Sequence, residues 1–234
     1  MVQTAKLTRR IFLTGSAALL ASGCARTMPG SVSAYAPAAL PPVAHSASYG
    51  AIIDDPFAIP AVPPGVVADQ YKRQRVNNPF FEAQPGTIVV DPSAFYLYLI
   101  EPNGTAIRYG IGVGRQGFSW SGDAVVQFKR KWPRWKVPAE MIERQPELAK
   151  YSVENGGMDP GLDNPLGARA LYLFQNGEDT LYRIHGTPEA WSIGKAVSSG
   201  CIRMLNHDVI DLHDRVANGA RVIVRPSNMP GSFA

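Results

Sequence analysis

Two cysteines occur in this chain of 234 residues. One of them, Cys201, lies in Ser198-Ser199-Gly200-Cys201-Ile202-Arg203-Met204, among small residues and close to a cation. Sixteen residues upstream stands His185, in Arg183-Ile184-His185-Gly186-Thr187. A thiol is a strong nucleophile only as the thiolate, so a cysteine near a base and a positive charge suits nucleophilic acyl chemistry. A bare Cys and His pair is more often a buried structural thiol with an unrelated imidazole. The neighbours shift that balance. Gly200 leaves the backbone free to turn the N–H groups of residues 200 and 201 towards an oxyanion, where a larger side chain would crowd the acyl group. Arg203, two residues on along an extended segment, falls on the same side as Cys201, where it can lower the thiol pKa or hold a carboxylate. His185 and Cys201 have no second pair at ligand spacing, so no metal or other cofactor is expected.

The elements that must position these residues occupy the rear of the chain. Residues 1–24 read as an export leader: Lys6, Arg9 and Arg10, then an apolar stretch from Ile11 to Ala21 that is short for a membrane span. Thr8-Arg9-Arg10-Ile11-Phe12-Leu13 resembles a twin-arginine signal. Leu20-Ala21-Ser22-Gly23-Cys24 resembles a lipobox, with Ala21 in the place of the usual leucine, and implies a lipid on Cys24 that tethers the chain to a membrane. The leader holds three of the cations behind the formal charge of +4, so the mature chain is close to neutral. With Cys24 lipidated, Cys201 is the sole remaining thiol and no intrachain disulfide forms.

Residues 25–84 read as an Ala/Pro-rich flexible tether with a basic lead-in, Lys72-Arg73-Gln74-Arg75. From residue 85 the pattern turns strand-like. Thr87–Val90 and Phe95–Leu99 are followed by the turn Pro102-Asn103-Gly104 and a returning strand over 105–113. Gly110, Gly112 and Gly114 along its end signal a bulge or a close backbone approach, and with no helix following they are not a nucleotide loop. Further strands are expected over 124–131, 170–175, 180–185 and 221–225. Helices are few: one from Pro138 to Arg144, and one capped by Asn206, carrying Val209, Leu212 and Val216 on one face and stopped by Gly219. His207 and His213 on the latter read as surface residues. The basic aromatic run from Lys129 to Lys136 is read as a wall of the substrate cleft or a solvated strand end, and not as a nucleic-acid site.

Three blocks in order, Asn164-Pro165-Leu166-Gly167-Ala168-Arg169-Ala170-Leu171-Tyr172-Leu173, Ile184-His185-Gly186-Thr187 and Ser198 to Met204, resemble the L,D-transpeptidase catalytic domain of the YkuD type. The resemblance covers most of residues 85–226, leaving 227–234 as a tail. It implies a mainly β domain, a β-sandwich or barrel with a few short helices, that cross-links peptidoglycan. Carried onto this chain, Cys201 would attack a stem tetrapeptide, release D-Ala and hold the acyl group as a thioester. His185 would be the base and the Gly186 carbonyl would orient its ring. Ser198, Ser199, Gly200 and Arg203 would form the oxyanion and substrate site. The acceptor would be an amine: a second stem peptide, a D-amino acid or an envelope protein. The implied location is the periplasm or cell envelope. The family usually has histidine where this chain has Ser199; a serine hydroxyl also donates, so an altered rate or acceptor preference is implied. Transfer to water, as in a cysteine peptidase or amidase, and a non-catalytic wall-binding lipoprotein are the alternatives.

Overall fold

The computed structural model describes residues 49–114, 120–198 and 200–227. The leader with Cys24, the first part of the tether, Ser199 and most of the tail lie outside the described residues. In chain order the elements are β1 (Ile52–Asp54), β2 (Phe57–Ile59), β3 (Gln74–Asn77), β4 (Ile88–Asp91), β5 (Tyr96–Ile100), β6 (Thr105–Gly110), β7 (Val113–Gly114) and β8 (Gly122–Lys131). They continue with α1 (Ala139–Arg144), β9 (Arg169–Gln175), β10 (Glu178–Thr187), β11 (Ala196–Ser198), β12 (Ile202–Leu205), α2 (Asn206–Arg215) and β13 (Arg221–Val224).

Nine strands form one mixed sheet in the order β12-β10-β9-β8-β13-β4-β5-β6-β3. The fold is mainly β, as the alternating sequence predicts. The sheet coils until edge strand β12 meets Gly112, just past β6, through a single antiparallel bridge. It is therefore an open sheet that curls nearly round on itself and not a closed barrel. The alternation is visible in burial: Leu97 and Leu99 of β5, Leu171 and Leu173 of β9, and Ile184 of β10 lie in one core with Val209 and Leu212 of α2. Burying each such side chain contributes about 1.5–3 kcal/mol.

Several expectations are corrected. The tether does not extend to residue 84, because from Tyr49 the chain packs on the domain. β1 and β2 form a hairpin whose Asp54 grips the buried Arg169 side chain through two hydrogen bonds, 2.6 and 2.7 Å. β3 pairs with β6 as an edge strand. The Tyr49 hydroxyl donates to the fully buried Asp208 carboxylate, 3.0 Å, and accepts from the Arg73 amide, 2.7 Å. Alanine and proline content hid this segment, since its anchors are single residues separated by many non-contacting ones.

α2 also starts and stops differently. Leu205 occupies the cap position, and Asn206 instead accepts from the Ala168 amide across the fold, 2.9 Å. The helix ends at Arg215, ahead of Gly219, where the Lys129 ammonium donates to the carbonyls of His213 and Val216. A cation at the carbonyl end satisfies orphan acceptors and the helix dipole together. His207 and His213 are buried, not surface residues; His207 Nε2 meets the Gly50 carbonyl at 2.7 Å.

Burial pushes Asp208 up to about 7, against the pull of Arg73 and the Tyr49 hydrogen bond. Removing the donor should therefore be costly. Tyr49→Phe is expected to lose about 1–3 kcal/mol, read as a lower urea midpoint at unchanged slope. A midpoint equal to wild type would show that this segment does not hold the domain.

Candidate active site

β10 and β12 run parallel, with Ile184 opposite Ile202, His185 opposite Arg203 and Gly186 opposite Met204. Opposed residues share a face of the sheet, and faces alternate along each strand. Ile184, Ile202 and Met204 therefore enter the core, where all three are buried. The opposite parity places Arg183, His185 and Arg203 on the other face. One residue before β12, Cys201 continues that parity beside Arg183.

The turn that presents Cys201 is held from below. The Ser198 hydroxyl donates to the Cys201 carbonyl, 2.9 Å. Gly200 has φ +136°, a conformation that side-chain-bearing residues rarely adopt. β7 runs parallel to β11 directly against this turn, and a Cβ on Gly114 would overlap the Gly200 amide nitrogen. Gly110 and Gly112 similarly lie against the backbone of Tyr71 and Ser192. The glycine alternation is thus a close backbone approach, one of the two readings the spacing allows.

His185 is buried, and its Nδ1 lies 2.6 Å from the Gly186 carbonyl oxygen. A carbonyl only accepts, so Nδ1 carries the proton of the neutral ring and Nε2 keeps its lone pair. The loop over 164–168 packs under this point. Buried Asn164 donates to the carbonyls of Pro133 and Asp159 and accepts from the Leu166 amide. A Cβ on Gly167, at φ +61°, would strike the Gly186 backbone. The loop of the first sequence block therefore supports the strand end that carries His185.

Burial dominates the electrostatics. It lowers His185 to about 4, although its bonds to the Gly186 and Pro165 carbonyls pull upward; Arg203 and Arg183 add to the depression. Burial also raises the Cys201 thiol, and the Arg183 backbone and the charges of Arg183 and Arg203 offset this only in part. Each cation is tied to a carboxylate, Arg203 to Glu189 at 2.5 Å and Arg183 to Asp179 at 2.8 Å. The resting pair is consequently a neutral thiol and a neutral imidazole. The sulfur meets the Leu181 carbonyl at 3.9 Å and makes no hydrogen bond with the His185 ring.

Cys201 lies in a cleft of about 340 Å³, with Met141 and Arg144 of α1 on one side and Leu181 and Tyr182 on the other. The Tyr182 ring is backed by Trp120, stacked at 5.1 Å. Among the described residues no group of His, Cys, Asp or Glu gathers as a metal site.

The L,D-transpeptidase catalytic domain family (YkuD) matches residues 85–224. The chain belongs to this family. The probable L,D-transpeptidase ErfK/SrfK of Escherichia coli K12 is 36% identical over 139 residues, 58% of this chain and 42% of that protein. The probable L,D-transpeptidase YbiS of the same strain is 34% identical over 145 residues, 58% of this chain and 43% of that protein. This chain therefore matches less than half the length of these two relatives. A solved chain from Brucella melitensis, named a probable carnitine operon oxidoreductase CaiA, is 50% identical, covering 68% of this chain and 96% of its own, with a TM-score of 0.47. That name describes the other protein.

Within this transpeptidase domain the structure brings Cys201, His185, Gly186, Gly200, Ser198 and Arg203 together; Ser199 lies outside the described residues. Sequence reasoning missed Arg183, Leu181, Met141 and Arg144. The signal for Arg183 was present, since it precedes His185 by two residues on a strand and so shares its face. α1 is distant in sequence and carried no comparable signal.

Gly114→Ala is expected to cost about 1–3 kcal/mol through overpacking against the Cys201 turn, read as a lower melting temperature. An unchanged melt would show that β7 can move away freely. The pKa directions give a second prediction. The thiol stays protonated through neutral pH, so alkylation of Cys201 by iodoacetamide should be slow at pH 7 and still be climbing above pH 9. The acid limb of kcat/KM should fall near pH 4 rather than 6.5, because the depressed His185 remains an available base down to that point. A labelling rate that plateaus below pH 8 would reveal a preformed thiolate and contradict this picture.

Proposed function

We propose that the protein is a peptidoglycan L,D-transpeptidase working through a Cys201 thioester. The observation that carries this reading is the shared face of β10 and β12, which gathers thiol, imidazole and Arg203 in the domain that matches the family. His185 Nε2 takes the thiol proton as sulfur attacks the carbonyl after the third residue of a stem tetrapeptide. The oxyanion forms beside the amides of residues 200 and 201, with the Ser199 hydroxyl as a further donor. Collapse breaks the C–N bond, and the imidazolium returns the proton to the departing amine of D-Ala. An acceptor amine then attacks the thioester, His185 takes its proton, and the C–S bond breaks to restore the thiol.

A neutral resting pair is consistent with general-base attack timed by the substrate. Catalytic hydrogen bonds are often loose before substrate binds, and closure of the cleft over a peptide would bring ring and sulfur together. The acceptor is a second stem peptide, a D-amino acid or the amine of an envelope protein. Export through the leader and a lipid on Cys24 would place the domain in the envelope near its substrate.

Intact-mass analysis with a purified disaccharide tetrapeptide tests the mechanism. The expected adduct is the donor minus alanine, present in wild type and missing in Cys201→Ala. His185→Ala should slow its formation by about 10²–10⁴-fold. D-Ala release by Cys201→Ala at the wild-type rate would sink the mechanism. Product that forms only as the hydrolysed acid, even with excess amine, would make the protein a peptidase; a wild type that neither acylates nor turns over would leave a wall-binding role.

A further inference from the structure

Next to the catalytic cleft the same sheet carries a second groove. Register sets Phe128 of β8 opposite Tyr172 of β9, and Tyr172 opposite Arg183 of β10, which flanks Cys201. These side chains stack in a row. The Arg130 guanidinium sits 5.4 Å from the Phe128 ring centroid, the rings of Phe128 and Tyr172 lie 4.3 Å apart and 20° from parallel, and the Arg183 guanidinium sits 4.6 Å over Tyr172. The row borders a groove of about 480 Å³ that is also lined by Lys131, Arg134 and Lys136. No acidic residue lines it, and of its four cations only Arg134 forms an ion pair among the described residues, with Asp159.

The chemistry of this groove selects its occupant. Sugars bind aromatic residues through open ring faces, but here the stacked rings cover one another and Arg130 and Arg183 cover their outer faces. What remains offered is positive charge, which fits carboxylates. The spacing also fits. Strands lie about 4.8 Å apart, so the Phe128 column is about 14 Å from Cys201, and about four extended residues span that distance. The Tyr172 phenol, raised mainly by burial, feels Arg183, Arg130 and Cys201 at once, so groove and nucleophile are electrostatic neighbours.

We infer that this groove docks the second substrate, a stem peptide bearing free carboxylates, with its chain extended towards Cys201 so that its amine reaches the thioester. The inference rests on the transpeptidase reading above. The acyl donor occupies the cleft that holds Cys201 itself, between α1 and the segment over 180–182. The acceptor enters from the opposite side of Arg183, its amine forms the new C–N bond as the C–S bond breaks, and its proton passes through His185 to the sulfur.

The test uses Lys131→Ser with Lys136→Ser, whose side chains hold no hydrogen bond among the described residues. With disaccharide tetrapeptide as acceptor, KM is expected to rise about tenfold while kcat stays within about twofold and Cys201 acylates at the wild-type rate. In the Cys201→Ala background, the full chain should sediment with purified sacculi, more weakly at high salt, and lose that binding when the double change is added or when the sacculus carboxylates are amidated. An unchanged acceptor KM, or equal binding to amidated sacculi, overturns the inference. Equally tight, groove-dependent binding to vesicles of anionic phospholipid overturns it in favour of a membrane patch. If wild-type Cys201 never acylates, the transpeptidase reading fails by itself, and sedimentation still judges whether the groove takes carboxylates.

Discussion

The parallel pairing of β10 with β12, in the register that sets His185 opposite Arg203, is the contact on which the rest of the site depends. A strand has a side-chain period of two, so a slip of one residue would turn His185 into the core and expose Ile184. Hydrophobic burial on one face thus enforces the chemistry on the other. Neither strand end is left to hold this register alone. The Cys201 turn rests on Gly114 and the Ser198 hydroxyl, and the end of β10 rests on Gly167 and Asn206.

Two opposing effects meet at the sulfur, and their sizes decide its resting state. Arg183 and Arg203 favour the thiolate, but each is already matched by a carboxylate, which cancels much of its field. Desolvation acts on the sulfur without such a counterweight and prevails. The histidine is subject to the same imbalance, so the charged pair is disfavoured from both sides. Two nearby arginines are therefore not evidence of an activated cysteine until their own partners are known.

The legible parts of the sequence were those that depend on local period. Strands alternated, and the parity of Arg183, His185, Cys201 and Arg203 could be counted along two short segments. The glycine alternation declared a close approach without naming what approaches. What was hidden depends on contacts between distant positions. Tyr49 is separated from Asp208 by 159 residues, and nothing near it in the chain marks it as an anchor. Asn206 has the composition of a cap, yet a buried amide at Ala168 competed for its side chain and prevailed. In the run from Lys129 to Lys136 one cation closes a helix end, the Trp132 ring is buried, Trp135 packs against Tyr151, and the other cations line a groove. Charge pattern alone cannot divide those roles, because contacts with distant segments separate them.

The protonated resting thiol has a further consequence, for chemical durability. Peroxide and disulfide exchange act on thiolates, and a sulfur that remains S–H at neutral pH climbs the oxidation ladder slowly. His185 is neutral and so an available base, but the sulfur makes no hydrogen bond with its ring, so the resting thiol keeps its proton. Under the proposed mechanism, a Cys201 nucleophile would thereby be kept slow towards small oxidants until a peptide fills the cleft.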